Sequence, residues 1–199
     1  MYKFLQVREG ENNHEYRVKS GSILNLMLIA NHVKSANVNV RIRLVGKGAK
    51  AVITGIIIGS HEEKTSLHTM QIHESPGTTS DLLIKTVLSD KAKCLYDGGI
   101  RVDKRAQQTD AYQRNENLLL SGRAYAESKP SLEILANDVR CTHGATAGPI
   151  DPEQLWYLAT RGIENDAGEK LITEGFIRSA LMRVGDGSII NALWQTLFP

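Results

Sequence analysis

Residues 37–44 carry the clearest structural pattern in this chain. They read Asn37-Val38-Asn39-Val40-Arg41-Ile42-Arg43-Leu44, with an apolar side chain at every second position. Because successive side chains of a β-strand point to opposite faces, the pattern predicts a strand with one buried and one exposed face. This stretch favours a mainly β fold.

Short apolar runs of similar length continue on both sides of this strand. They predict strands at residues 23–29, 51–58, 66–72, 82–88, 117–121 and 132–135. Glycines, among them Gly98 and Gly99, and the pair Pro76-Gly77 separate the runs as turn residues do. Such a series fits a sandwich, a barrel or a β-solenoid, and no repeated motif selects among them. The middle strands recur at roughly 14–16 residues, against about 8–12 in hairpin-linked sandwiches, which favours a solenoid.

After residue 150 the apolar period changes from that of strands to that of helices. Asp151 suits an N-cap, Pro152 the first helical position, and Gly162 the end of a first helix. A second helix is predicted from Asn165 or Asp166 to Gly185, and a third from about residue 188 to the end. The chain is therefore predicted to divide into a β body, residues 1–150, and a helical tail, residues 151–199.

Composition excludes several classes of protein. The 199 residues include 24 basic and 22 acidic side chains, a net charge of +2, which gives no argument for nucleic acid. No apolar run approaches the roughly 18 residues of a membrane span, and the N-terminus does not read as a secretory signal. Two cysteines are too few for a disulfide framework. They are expected to be free thiols in a reducing cytoplasm.

Common enzymatic motifs are absent from the sequence. It contains no Walker-type phosphate loop, so the chain is expected to bind and hydrolyse no nucleotide. It contains no Gly-x-Ser-x-Gly, Cys-x-x-Cys or His-Glu-x-x-His either. Two cysteines cannot supply a four-cysteine cluster site within one chain. The interpretation is a protein that is not an enzyme, and any bound cluster needs further ligands.

Cys141 and His143 are the most suggestive pair of side chains. Two residues apart on an extended strand, they point to the same face. A thiolate and an imidazole form half of a tetrahedral Fe or Zn site, and the alternative is a buried Cys beside a hydrogen-bonded His. Gly144, Ala145 and Gly148 would let another surface approach closely.

Histidines and aromatic residues elsewhere have two interpretations each. His61, His68 and His73 are expected to be exposed or hydrogen-bonded, with convergence of His61 and His73 on adjacent coils as the alternative. The tail contains three large aromatic residues that are expected to pack internally, with a role as interface anchors as the alternative: Trp156, Tyr157 and Trp194.

Several motifs follow one another in order between residues 96 and 163. They are Tyr-Asp-Gly-Gly-Ile-Arg-Val at 96–102, Ala-Gln-Gln-Thr-Asp-Ala-Tyr-Gln at 106–113, Asn-Glu-Asn-Leu-Leu-Leu-Ser at 115–121, Pro-Ser-Leu-Glu-Ile at 130–134, Asn-Asp-Val-Arg-Cys-Thr-His-Gly-Ala-Thr at 137–146, Gln-Leu-Trp-Tyr-Leu at 154–158 and Arg-Gly-Ile at 161–163. In this order they resemble the core and helical segment of the SufB/SufD family of iron–sulfur cluster assembly proteins. The resemblance covers about residues 92–180 and extends to about residue 45.

The resemblance implies a right-handed parallel β-helix with a small C-terminal α-helical domain. It implies a scaffold or accessory subunit of a SufBCD-type complex, dimerising through the β-helix with a SufB-like paralogue or a second copy. A SufC-like ATPase would dock on the C-terminal helices. Cys141 and His143 would lie at the dimer interface as ligands of iron or of a transient iron–sulfur cluster shared between subunits.

Two departures from the family pattern shape the expectation. His-Gly-Ala-Thr is SufD-like, whereas SufB-type chains tend to have Glu where this chain has Gly144, and glycine cannot be a ligand. The chain also begins almost at the β body, whereas full-length members carry a substantial N-terminal region.

One alternative is a degenerate structural paralogue that binds no metal. Another is a carbohydrate-active β-helix enzyme, which the 6% aromatic content disfavours.

Overall fold

The computed structural model describes residues 1–198, which contain eleven β-strands and three α-helices. The strands are β1 (Tyr2–Gln6), β2 (Gly10–Val18), β3 (Ile23–Asn31), β4 (Ser35–Leu44), β5 (Lys50–Gly59), β6 (Lys64–His73), β7 (Thr79–Leu88), β8 (Lys93–Val102), β9 (Thr109–Leu119), β10 (Tyr125–Ile134) and β11 (Val139–Gly148). The helices are α1 (Pro152–Thr160), α2 (Asn165–Leu181) and α3 (Gly187–Leu197).

The strands coil into a β-solenoid of about five turns. Odd-numbered strands form one parallel sheet in the order β1-β3-β5-β7-β9-β11, here called sheet A. Even-numbered strands form the other, sheet B, in the order β10-β8-β6-β4-β2. Each strand pairs with the strand one coil further on, for example Gly10 with Ala36 and Lys93 with Tyr125. The predicted fold class is confirmed, and of the three β architectures the solenoid is the one adopted.

The two sheets differ in how many of their faces are buried. On β4 of sheet B only the inward residues, such as Val38 and Val40, are buried, and the outward residues remain accessible. On β5 of sheet A both the inward Ile53 and the outward Ile56 are buried. A parallel strand covered on both faces reads as a continuous apolar run, whereas a strand with one wet face alternates. The continuous apolar run of β5 therefore marks sheet A as the sheet that is covered on both faces, and the alternation of β4 marks sheet B as the sheet with one exposed face.

The helical tail packs on the outer face of sheet A. Met27, Ile56 and Leu83 of the sheet share an apolar cluster with Ile177 and Leu181 of α2. Burying these side chains is the main force that holds the tail on the sheet.

Polar contacts specify how the tail is oriented on sheet A. The Lys85 ammonium lies 2.9 Å from Glu116 Oε2 and 4.0 Å from the ring centre of Phe176, and it donates to Ser179 Oγ at 2.8 Å. Arg183 Nε donates to Thr54 Oγ1 at 3.1 Å. These directional contacts fix one orientation, which apolar packing alone specifies less sharply.

Helix boundaries follow the predicted capping residues closely. The Asp151 carboxylate accepts from the Glu153 backbone N–H at 2.9 Å, and Gly162 follows α1 with φ 81°. The second helix ends earlier than predicted, at Leu181. A short 3-10 turn, Met182–Val184, then leads to Gly185, which adopts a left-handed conformation. No helix within residues 1–198 is long and apolar enough to cross a bilayer.

The strand predictions missed several strands. The strands β1, β2 and β8 were missed, and β11 was considered a strand only around Cys141 and His143. The inward side of β2 carries Asn12, His14 and Tyr16, so the apolar period is lost. Gly98 and Gly99 lie inside β8 and are not turn residues, as their pairing with Pro130 and Ser131 shows. The run predicted at residues 117–121 is the end of the longer strand β9.

Candidate metal half-site at the open end of the solenoid

The last coil of the solenoid, formed by β10 and β11, is open. Each of these strands is the final member of its sheet, so each has one edge with no strand paired to it. The apolar side chains of Leu132, Ile134 and Leu135 are 37%, 38% and 51% exposed there. Unpaired strand edges and exposed apolar residues together mark a surface that favours association with another chain.

Cys141 and His143 lie on β11 at this open end. Their register partners on β9 are Ala111 and Gln113, which are buried inward residues, so the pair faces the interior of the solenoid. Cys141 is half-buried against the apolar group around Ile100, whereas His143 is exposed. The prediction that both side chains share one face of a strand is confirmed by this register.

The environment of Cys141 favours the protonated form of its thiol. Burial raises the pKa of the thiol, the negative charge of Asp110 raises it further, and a hydrogen bond from the Ala111 backbone opposes both effects. A metal ion would replace the proton, because a coordinating thiol is deprotonated. Cys141 and His143 can therefore provide a soft sulfur ligand and an imidazole nitrogen ligand side by side.

A buried polar network lies beneath the open coil. Gln113, in register with His143, donates from Nε2 to the Gly98 carbonyl at 3.0 Å, and its Oε1 accepts from Gln71 Nε2 at 3.2 Å. Tyr96 OH lies 2.9 Å from Thr69 Oγ1. A side chain at Gly98 would overlap both Tyr96 OH and Gln113 Nε2. The residues under His143 are therefore hydrogen-bonded and closely packed.

Asn117 connects both strands of the last coil to the coil beneath. Its amide donates to the Thr146 carbonyl at 2.9 Å and lies 3.4 Å from Ser128 Oγ, and the Ser128 hydroxyl also bonds Asn115 Oδ1. Sequence reasoning missed these inward polar residues. Residues 111–117 have polar side chains at both sets of alternate positions, so the usual apolar signal of an inward face is absent there.

The remaining candidate residues do not join this site. His61 lies in the turn before β6 and His73 ends that strand, so the structure separates them, and the convergence considered for them is wrong. His73 is buried and bonds Thr78 and Ser80, whereas His61 is exposed. Cys94 is buried beside Thr86, and burial raises the pKa of its thiol to about 12. Both cysteines are free thiols.

The aromatic residues of the tail divide between packing and exposure. Trp194 packs with Phe198, with ring centres 4.5 Å apart, as expected. The expectation of internal packing is wrong for Trp156 and Tyr157, which are 69% and 54% exposed on α1. The opposite side of α1 uses Leu155 and other apolar residues against α2, which leaves the aromatic side free.

Within residues 1–198 no three side chains of His, Cys, Asp or Glu lie close enough to hold a metal ion together. The donor set of Cys141 and His143 suits iron or zinc but supplies two ligands of four. The fold and this pair define a parallel β-solenoid protein whose last coil carries a thiol and an imidazole and has unpaired strand edges.

Comparison with known proteins identifies the family. A family model described as "SUF system FeS cluster assembly, SufBD core domain" matches residues 11–176. This chain belongs to that SufB/SufD family.

Three relatives illustrate the similarity. "Iron-sulfur cluster assembly protein SufD" of Escherichia coli (strain K12) is 36% identical over 138 residues, which are 69% of this chain and 33% of that protein. "Protein ABCI7, chloroplastic" of Arabidopsis thaliana is 30% identical over 161 residues, 80% of this chain and 34% of that protein. The SufD protein of Bacillus subtilis (strain 168) is 31% identical over 134 residues, which are 67% of this chain and 31% of that protein. The chain spans about a third of the length of these relatives.

Proposed function

We propose that this protein is a non-catalytic scaffold or accessory subunit in iron–sulfur cluster assembly. It presents Cys141 and His143 to iron or to a transient cluster, which is cargo shared with a second chain of the SufB/SufD family. The observation that carries the proposal is the position of this pair: both side chains lie inside an open coil and are not sealed in the core. Family membership supports the same cargo.

The open coil and the tail suggest two contacts in a SufBCD-type complex. The edges of β10 and β11 are the surface for a SufB-like paralogue or a second copy. The exposed Trp156 and Tyr157 of α1 are the surface for a SufC-like ATPase, because large aromatic side chains are frequent anchors of interfaces. The proposed location is the cytoplasm, where both thiols stay reduced.

Anaerobic reconstitution with iron and sulfide tests this proposal. The chain is treated alone and with SufB-like and SufC-like partners, and bound iron and visible absorbance are measured after desalting. With partners, the wild-type chain is expected to retain iron, and C141S and H143A are each expected to lose most of it. H68A is the matched control, because His68 is an exposed histidine on the outer face of sheet B. Absence of iron and absorbance in every combination would favour the degenerate paralogue that binds no metal.

A further inference from the structure

The outer face of sheet B carries a furrow that runs across its strands. The floor of the furrow is the register row of Arg41, Met70, Gly99 and Ser131, one residue from each of β4, β6, β8 and β10. A Cβ atom at Gly99 would lie 2.6 Å from Met70 Cε, so the thioether chain of Met70 lies across this glycine. The row is low at its centre because Gly99 has no side chain to raise it.

Two taller rows of side chains border the furrow. They lie two residues to either side of the floor and are Asn39, His68, Asp97 and Lys129 on one rim and Arg43, Ile72, Arg101 and Glu133 on the other. Each rim contains a contact between a basic and an acidic side chain of neighbouring strands. His68 Nδ1 lies 3.6 Å from Asp97 Oδ2, and Arg101 Nε lies 3.8 Å from Glu133 Oε2. The depression between the rims has a volume of about 440 Å³.

The dimensions of the furrow suit one extended chain. It crosses four strands, about 14 Å at roughly 4.8 Å per strand, which is the length of about four extended residues. The backbones of the two rims are four residues apart along a strand, about 13 Å, and the rim side chains fill part of that width. An α-helix with its side chains is about 10–12 Å wide, so a helix does not fit between them. Exposed walls also leave a small molecule largely in water, unlike the enclosed pockets that bind such ligands.

Arg41 closes one end of the furrow with a positive charge that has no partner. Within residues 1–198 it forms no ion pair, whereas its neighbour Arg43 has its Nε atom 2.5 Å from Glu74 Oε1. A guanidinium group binds a carboxylate through two parallel hydrogen bonds. Met70, half-buried on the adjacent strand, provides apolar surface beside this group. The furrow therefore offers a carboxylate site next to an apolar site.

We propose that this furrow binds an extended segment of a partner protein, in which an acidic residue is followed two positions later by an apolar residue. Side chains two apart on an extended chain share a face and are about 7 Å apart. The carboxylate can therefore bind Arg41 while the apolar side chain packs on Met70 and Ile72. An acidic polysaccharide also carries carboxylates but has no apolar side chain for this floor. The inference goes beyond the proposed function, since it involves neither Cys141 nor His143.

Selection from a library of random dodecapeptides displayed on phage tests the ligand class. The full wild-type chain is the bait, and peptides with Asp or Glu at one position and Leu, Ile, Val or Met two positions later are expected to be enriched. The affinity of the most enriched peptide is then measured by fluorescence anisotropy. R41Q is expected to weaken it by about tenfold or more, because a hydrogen-bonded charge pair is lost. R123Q is the matched control and should bind like the wild type, because Arg123 is an exposed arginine in the turn before β10.

Charge reversal tests the contact with Arg41 itself. R41E is expected to lose the peptide and to bind a version of the same peptide that has Lys in place of its acidic residue. Such a gain cannot result from misfolding of the variant. G99A is expected to weaken binding as well, since its Cβ would displace the Met70 side chain that forms the floor. Absence of acidic–apolar peptides from the selection, equal affinity of R41Q and the wild type, or tighter binding of polygalacturonate than of the peptide would overturn the inference.

Discussion

At the residue scale, His73 is a buried neutral imidazole whose environment opposes protonation. Burial lowers its pKa from 6.5 to about 4. Its two ring nitrogens bond the hydroxyls of Thr78 and Ser80 at 2.8 Å and 2.9 Å. Between pH 6.5 and 4, His73 is therefore more often protonated in the unfolded chain than in the folded chain. The stability that neutral His73 contributes is therefore fully present above pH 6.5 and is lost as pH falls toward 4.

We expect this contribution to be about 3 kcal/mol of unfolding free energy, since one pKa unit corresponds to about 1.4 kcal/mol. Urea unfolding of the wild type and of H73Q at a series of pH values measures it. H73Q is expected to be less stable at pH 7 and to depend less on pH between 6.5 and 4. H61Q, which changes an exposed histidine, is the control and should follow the wild type. Equal pH dependence in H73Q and the wild type would contradict the prediction.

Gly98 is the second residue whose role is local and steric. A methyl group there would overlap the hydroxyl of Tyr96 and the amide of Gln113, both buried and hydrogen-bonded. G98A is expected to lower the free energy of unfolding by about 1–3 kcal/mol, the usual cost of overpacking. G122A is the matched control, because a Cβ at Gly122 meets no atom within 4 Å. Thermal or urea unfolding measures both variants, and equal stability would contradict the steric explanation.

At the scale of elements, Lys85 connects sheet A to α2. Its ammonium group is close to Glu116, Ser179 and the ring of Phe176, and the residue is only 8% exposed. Removing Lys85 leaves Glu116 with Arg114, at 3.2 Å, as its remaining cation, and it removes the polar contacts of the sheet with Ser179 and Phe176. K85A is therefore expected to destabilise the protein by about 2–4 kcal/mol and to increase hydrogen exchange in α2.

An exposed ion pair provides the control for Lys85. Lys91 lies 2.8 Å from Glu62, and both side chains are more than half exposed. K91A removes the same charge from a surface pair, where solvent screening leaves little to lose, so stability should not change measurably. Equal effects of K85A and K91A would show that Lys85 does not hold the tail in place.

At the scale of the whole molecule, α1 presents Trp156 and Tyr157 on the side of the tail that faces away from sheet A. If a SufC-like ATPase docks there, W156A is expected to weaken its binding by about tenfold or more, because exposed tryptophans of interfaces often contribute over 1.4 kcal/mol. Calorimetric titration measures the affinity, and unfolding of W156A should match the wild type. The control is L95A, an exposed apolar residue on sheet B. Equal affinity for W156A and the wild type would place the ATPase elsewhere.

The mainly β body, the helical tail with its caps, and the placement of Cys141 and His143 on one strand face were predictable from sequence. Period-two alternation and helix caps are local properties, encoded by neighbouring residues. Resemblance of ordered motifs supplied the family and the solenoid, which periodicity left open. Sequence patterns failed at β2 and most of β9, because most inward residues there are polar and their partners lie a full coil away. They also failed at β8, where Gly98 interrupts an inward face that carries Tyr96 and Ile100.

By itself, the sequence determined which residues face the core in the strands with clear alternation, where the helices begin, and that the chain carries one adjacent thiol and imidazole. The tertiary structure decided that this pair lies in an open coil, that Gly98 is interior, and that His73 is buried far from His61. The physical reason is that coil stacking joins residues 23 to 32 positions apart, as in the pairs Tyr2–Asn25 and Lys93–Tyr125. No local pattern encodes contacts over such a separation.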